Sequence, residues 1–101
     1  MTQVAVIHTA FEDTPRTVAL VEVGERVGTD ALEYAYRWTN NVVGSWSMKQ
    51  GGDANDDVTV IADLHNIDGT TYGLRSTSMG DHMLLGNTKY RVAMVGFEEI
   101  Q

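Results

Sequence analysis

Hydrophobic positions recur along this chain with two different periods, and the change of period marks its elements. Val4-Ala5-Val6-Ile7 and Val18-Ala19-Leu20-Val21 are short, mostly β-branched runs on either side of a polar loop holding Pro15. Such runs predict two strands buried on both faces or nearly so. From Asp30 the period lengthens: Ala31, Leu32, Ala35, Tyr36, Trp38 and Thr39 share one arc of a helical wheel, and Asp30, Glu33, Arg37 and Asn40 the other. A helix over roughly 31–40 follows, lying across a sheet, with Asp30 and Glu33 at capping-box spacing and Glu33 four residues before Arg37. Tyr34 falls at the boundary of the arcs, where a ring packs while its hydroxyl stays in water.

Beyond the helix, Gly44-Ser45-Trp46-Ser47-Met48 reads as an extended piece that carries Trp46 to the core, and Gly51-Gly52-Asp53-Ala54-Asn55-Asp56-Asp57 as a loop. Val58-Thr59-Val60-Ile61-Ala62 is the third strand. A two-residue Asp68-Gly69 turn sets His65 opposite Tyr72, and the return strand around Thr71 to Leu74 is weakened by Gly73.

The densest turn and strand signals lie between Leu74 and Ile100. Met79-Gly80-Asp81 is a turn, His82 to Leu85 a strand, Gly86-Asn87 a hairpin loop and Thr88 to Val95 a long strand. This loop pairs Leu85 with Thr88, Leu84 with Lys89, Met83 with Tyr90 and His82 with Arg91. One face then carries Met83, Leu85, Tyr90, Val92 and Met94 toward the core; the other carries His82, Leu84, Lys89, Arg91, Ala93 and Val95. A three-residue loop of Gly86, Asn87 and Thr88 would shift the register and change every pair. The expected architecture is a single α+β domain over 1–101, with a small antiparallel or mixed sheet of about five to six strands and one main helix packed on it.

Charge and composition narrow the function classes. Seven Lys and Arg stand against 14 Asp and Glu, a net charge of -7, which opposes direct binding to a nucleic-acid backbone. Cysteine is absent, so disulfide scaffolds, thiolate metal sites and thiol catalysis are excluded. No basic leader with a long apolar core opens the chain and no run is long enough to cross a bilayer, so a cytoplasmic protein is expected.

The candidate chemistry is thin. Asp53, Asn55 and Asp57 match the start of a calcium loop, but position six is Val58 and position twelve is Leu64 where glycine and glutamate are needed. His8, His65 and His82 lack the spacing that sets two imidazoles on one helical face. Arg75-Ser76-Thr77-Ser78 holds three hydroxyls beside a guanidinium without a nucleophile elbow or a phosphate-loop glycine pattern. Turn hydrogen bonding, with Arg75 paired to Asp81 or another acid, accounts for it. No catalytic residue, metal or cofactor is assigned and the chain is expected not to be an enzyme. The candidate partner-binding residues are His82, Lys89 and Arg91 on the outward hairpin face, Tyr34 on the helix, and the acidic Asp53, Asp56 and Asp57.

Between Arg75 and Ile100 the chain resembles the R-S-x-S-x-G-D, hydrophobic strand, Tyr-x-Val, Gly-Phe pattern of small proteins from tailed phages and mobile elements, including YodL-like domains. Ser76, Ser78, Gly80, Asp81, Tyr90, Gly96 and Phe97 carry it. The resemblance covers about a quarter of the chain. With the size and acidity, it implies an accessory protein that binds and inhibits a host protein in the host cytoplasm, a defence complex or the transcription machinery. The alternative is a structural or assembly component acting through homo-oligomeric contacts.

Overall fold

The structure is a computed structural model that describes residues 2–100; Met1 and Gln101, the ends of the expected 1–101 unit, lie outside the described residues. Ten elements follow in order: β1 (Gln3–His8), β2 (Arg16–Glu22), α1 (Gly28–Trp38), a 3-10 turn (Gly51–Asp53), β3 (Val58–Val60), β4 (His65–Ile67), β5 (Thr70–Tyr72), β6 (His82–Leu85), β7 (Thr88–Val92) and β8 (Phe97–Ile100). Six strands form one sheet in the order β3-β2-β1-β6-β7-β8, antiparallel at every junction, while β4 and β5 make a separate two-stranded ribbon. The domain is therefore α+β, with one helix on a sheet.

The core lies between α1 and one face of the sheet. Val4, Val6, Val18, Ala19, Val21, Val58, Met83 and Val92 point to it from the strands, Ala31, Leu32 and Ala35 from the helix, and Trp46 from the loop after the helix. Ala5, Ile7 and Leu20 are only half-buried. The expectation that β1 and β2 are covered on both faces is thereby corrected, since the single helix lies on one side and alternate residues face away from it.

Helix α1 begins earlier than its capping signal. Its N-cap is Val27 in extended conformation with no side-chain bond, and Asp30 sits inside the first turn. The capping box does not form there; Asp30 instead places its charge near the positive end of the helix dipole. Trp46 reaches the core from a tight turn closed by a Ser45–Gln50 bridge, where an extended segment was expected.

Both hairpin registers agree with their turn chemistry. His65 pairs Tyr72, and His82, Met83, Leu84 and Leu85 pair Arg91, Tyr90, Lys89 and Thr88. The last strand differs from expectation. Residues 93–96 form a turn, closed by the Ala93 N–H bonded to the Gly96 carbonyl at 3.0 Å, with Gly96 at φ 72°. Met94 is consequently 85% exposed and Val95 89%, on neither sheet face, and β8 returns along β7. A left-handed glycine four residues after the end of β7 interrupts the alternation that otherwise reads straight through.

Candidate functional site

Cross-strand partners share a sheet face, so the register identifies what lies opposite the helix. Reading across the sheet, one row runs Thr59, Leu20, Ala5, Leu84, Lys89 and Ile100. The next runs Thr17, Ile7, His82, Arg91 and Glu98. Ala5, Ile7, Leu20 and Leu84 are half-buried, while Lys89 and Arg91 are exposed. An apolar centre with a basic flank thus occupies the open face. Arg91 is in contact with Glu98 of β8. His82 is held below its ordinary value, first by desolvation and then by Lys89, with Arg91 adding to it and Asp81 opposing.

The three candidate residues of the β6–β7 hairpin therefore stand together. The apolar residues beside them come from β1 and β2 and are absent from any local motif. Their signal in the sequence is the period-two spacing of Ala5 and Ile7, which the continuous apolar run over 4–7 conceals.

The acidic residues separate. Asp53 is 1% exposed, and its Oδ2 accepts backbone N–H bonds from Val42, Val43 and Gly44 at 2.8, 2.9 and 2.7 Å, while Arg37 donates to Oδ1 at 3.3 Å. Burial pushes its carboxyl up, but those donors outweigh it and hold the group below its ordinary value. Asp53 is thus an anchor for the loop after α1, withdrawn from any exposed acidic face. Asp56 and Asp57 remain exposed. Tyr34 is half-buried, stacked under Arg26 with the guanidinium carbon 3.7 Å from its ring centre, and its hydroxyl donates to Asp57 and accepts from Asn55. Desolvation and the Asp57 bond raise its pKa.

The Arg75–Asp81 segment forms a second polar centre, between the end of β1, the end of α1 and the start of β6. Asp81 is fully buried; its carboxylate accepts from Arg75 at 2.7 and 2.8 Å and from the backbone N–H of Thr9, Ala10 and Ser78. Burial opposes its charge, yet these donors hold its carboxyl far below the usual carboxylate range. Beside it the Thr39 hydroxyl donates to the Ala35 carbonyl, and Thr77 donates to Thr39, both at 2.8 Å. A carbonyl cannot donate, so the direction of this chain is fixed. Thr77 must then accept from His8 Nε2 at 3.1 Å, which makes Nε2 the protonated nitrogen. Among the described residues no group of three or more His, Cys, Asp or Glu could hold a metal ion.

No family model, curated protein or solved structure matches this chain.

Proposed function

We propose that this chain is a non-enzymatic protein-binding domain, the accessory protein of a phage or mobile element, which docks on a host protein through the open face of its sheet and inhibits it. The observation that carries the reading is the row Leu20, Ala5, Leu84 and Lys89, apolar at the centre of four strands and basic where it leaves them. Apolar area without a covering layer marks interaction surfaces when it is contiguous and rimmed by polar groups. Lys89 flanks it, beside an Arg91 already paired with Glu98, on a chain of net charge -7, so the partner surface is apolar with an acidic group opposite Lys89. The phage or mobile-element setting, and with it the host cytoplasm, rests on the resemblance of the Arg75–Ile100 unit. Among the described residues no helix is long and apolar enough to cross a membrane. The partner class is a defence complex or the transcription machinery.

Affinity capture from a host lysate tests this, with the wild-type chain beside Leu84→Arg. The wild type is expected to retain a specific protein at micromolar concentration, and Leu84→Arg, folded by circular dichroism, to lose it. Equal retention by both would reject the open face as the docking surface, and no retained protein would reject the function.

A second reading is favoured by the sheet edges. β3 and β8 each pair on one side only, and such strands can pair with another copy. Light scattering separates the two: a strict monomer at high concentration removes the homo-oligomeric reading.

A further inference from the structure

A pocket of about 210 Å³ opens at the end of the β1–β2 hairpin, lined by His8, Glu12, Arg16, His65, Tyr72 and Arg75 among others. Its side chains are unusual for this chain. Two of the seven Lys and Arg and two of the three His are gathered there with a single lining acid, Glu12. Asp81, which neutralises part of Arg75, is buried behind it.

Two groups in this wall have hydrogen-bonding capacity that the fold leaves unused. The Nε of Arg75 is buried and has no acceptor; the nearest carboxylate oxygen, on Glu12, is 3.6 Å away and beyond hydrogen-bond distance. A buried charged donor without an acceptor is costly, so an acceptor brought by a ligand gains more here than at an exposed site. The second group is His8, 1% exposed. Its Nε2–H is committed to Thr77, and Nδ1, which makes no hydrogen bond among the described residues, is left as a lone-pair acceptor. Burial depresses this imidazole's pKa to about 4, so it stays neutral and keeps that lone pair at neutral pH.

The ligand must satisfy both demands. It needs oxygens that accept from Arg75 Nε and from Arg16, which has no ion pair among the described residues. It also needs one O–H to give to His8. We propose that this pocket binds a phosphate group that carries a proton, as inorganic phosphate or as a small phosphomonoester. The phosphate oxygens take the position over Arg75 now held by the Glu12 carboxylate, and the P–OH donates to Nδ1 of His8. A carboxylate or sulfate supplies the acceptors without the proton. A single phosphate group meets the local field of Arg16 and Arg75, whereas a nucleic-acid backbone meets the whole acidic surface. None of the open-face residues takes part, so this site stands or falls independently of the proposed docking.

The test is a titration of the intact chain followed by amide chemical shifts, at constant ionic strength and about pH 6, where much of a phosphomonoester is still singly protonated. Inorganic phosphate, glycerol phosphate and sulfate are compared. Saturable shifts at His8, Arg16 and Tyr72 are expected with phosphate below about 10 mM, and affinity at least about tenfold weaker for sulfate. Tighter glycerol phosphate assigns the site to an esterified phosphate, and equal or tighter inorganic phosphate to the free ion. Arg16→Ala is expected to weaken binding about tenfold, and Glu12→Gln to tighten it about threefold by removing the competing charge. Absence of saturation with both phosphate species, or sulfate bound as well as phosphate, overturns the proposal. The sulfate comparison needs no variant, so it tests the His8 contact without altering a buried residue.

Discussion

The two hairpins of this protein are built on equivalent turns and have opposite fates. β4–β5 turns through Asp68 and Gly69, both at positive φ (53° and 82°), as a type I′ loop requires. β6–β7 turns through Gly86 at φ 61°, the first-position glycine of a type II′ loop. Both loops set the register of their strands, yet all six residues of β4 and β5 are exposed while Met83 and Val92 of the other hairpin lie in the core. Turn chemistry decides which residues pair; the alternation of apolar residues decides whether the pair is incorporated into a sheet. HNI and TTY offer no buried apolar stripe, and among the described residues the one hydrogen bond between their side chains joins Asn66 and Thr71 at 3.2 Å. HMLL and TKYRV present Met83, Tyr90 and Val92 on one side, and Asp81 anchors the strand that begins beside it.

The sharpest way to break this contrast is at the anchor. Asp81→Ala leaves the N–H groups of Thr9, Ala10 and Ser78 without their side-chain acceptor and Arg75 without its two-bond carboxylate partner, and is expected to destabilise the fold by about 3–5 kcal/mol in urea unfolding. A loss below about 1 kcal/mol would show that the anchor does not hold β6.

Acid should reach the same region through His8. Its pKa is lowered from 6.5 to about 4 in the fold, so the unfolded chain binds more protons between these values. The stability associated with neutral His8 is full above about pH 6.5 and declines, on the order of 3 kcal/mol, as pH falls toward 4. Asp81, also depressed, adds its own loss only below its unfolded value of 3.8. Unfolding free energies across pH 4 to 7 that stay flat contradict the burial of a neutral imidazole.

Within the hairpins the expected effects diverge. Met83→Ala removes a side chain with no exposed area and should cost about 2–3 kcal/mol. Gly69→Ala places a Cβ at φ 82° and should cost about 1 kcal/mol of local pairing, seen as lost cross-strand contacts between His65 and Tyr72. Ile67→Ala, at a residue 55% exposed, should change global stability by less than about 0.5 kcal/mol. If Ile67→Ala instead matched Met83→Ala, the ribbon would have to belong to the cooperative core.

Much of this could be read from the chain. The Gly86-Asn87 and Asp68-Gly69 dipeptides fix two registers through local φ preferences, and the apolar arc of Ala31, Leu32 and Ala35 selects the buried side of α1 through its 3.6-residue period. The pairing of Arg75 with Asp81 also follows from proximity of opposite charges at a turn. These are short-range properties, complete within a few residues.

Other features depend on which strands became neighbours. β1 lies between β2 and β6, so Ala5 meets Leu20 on one side and Leu84 on the other, making an open apolar row from three separated segments. Asp53 sits in an acidic run that reads as a solvated loop, but three backbone N–H groups from Val42 to Gly44 converge on it once the chain folds back. His8, at the end of an apolar strand, acquires its proton assignment only from Thr77 and Thr39, residues far along the chain. Local sequence determined pairs and periods because bond geometry acts on adjacent residues. The open face, the buried anchors and the pocket beside His8 were decided by tertiary structure, because burial and hydrogen-bond saturation depend on every segment that arrives at the same place.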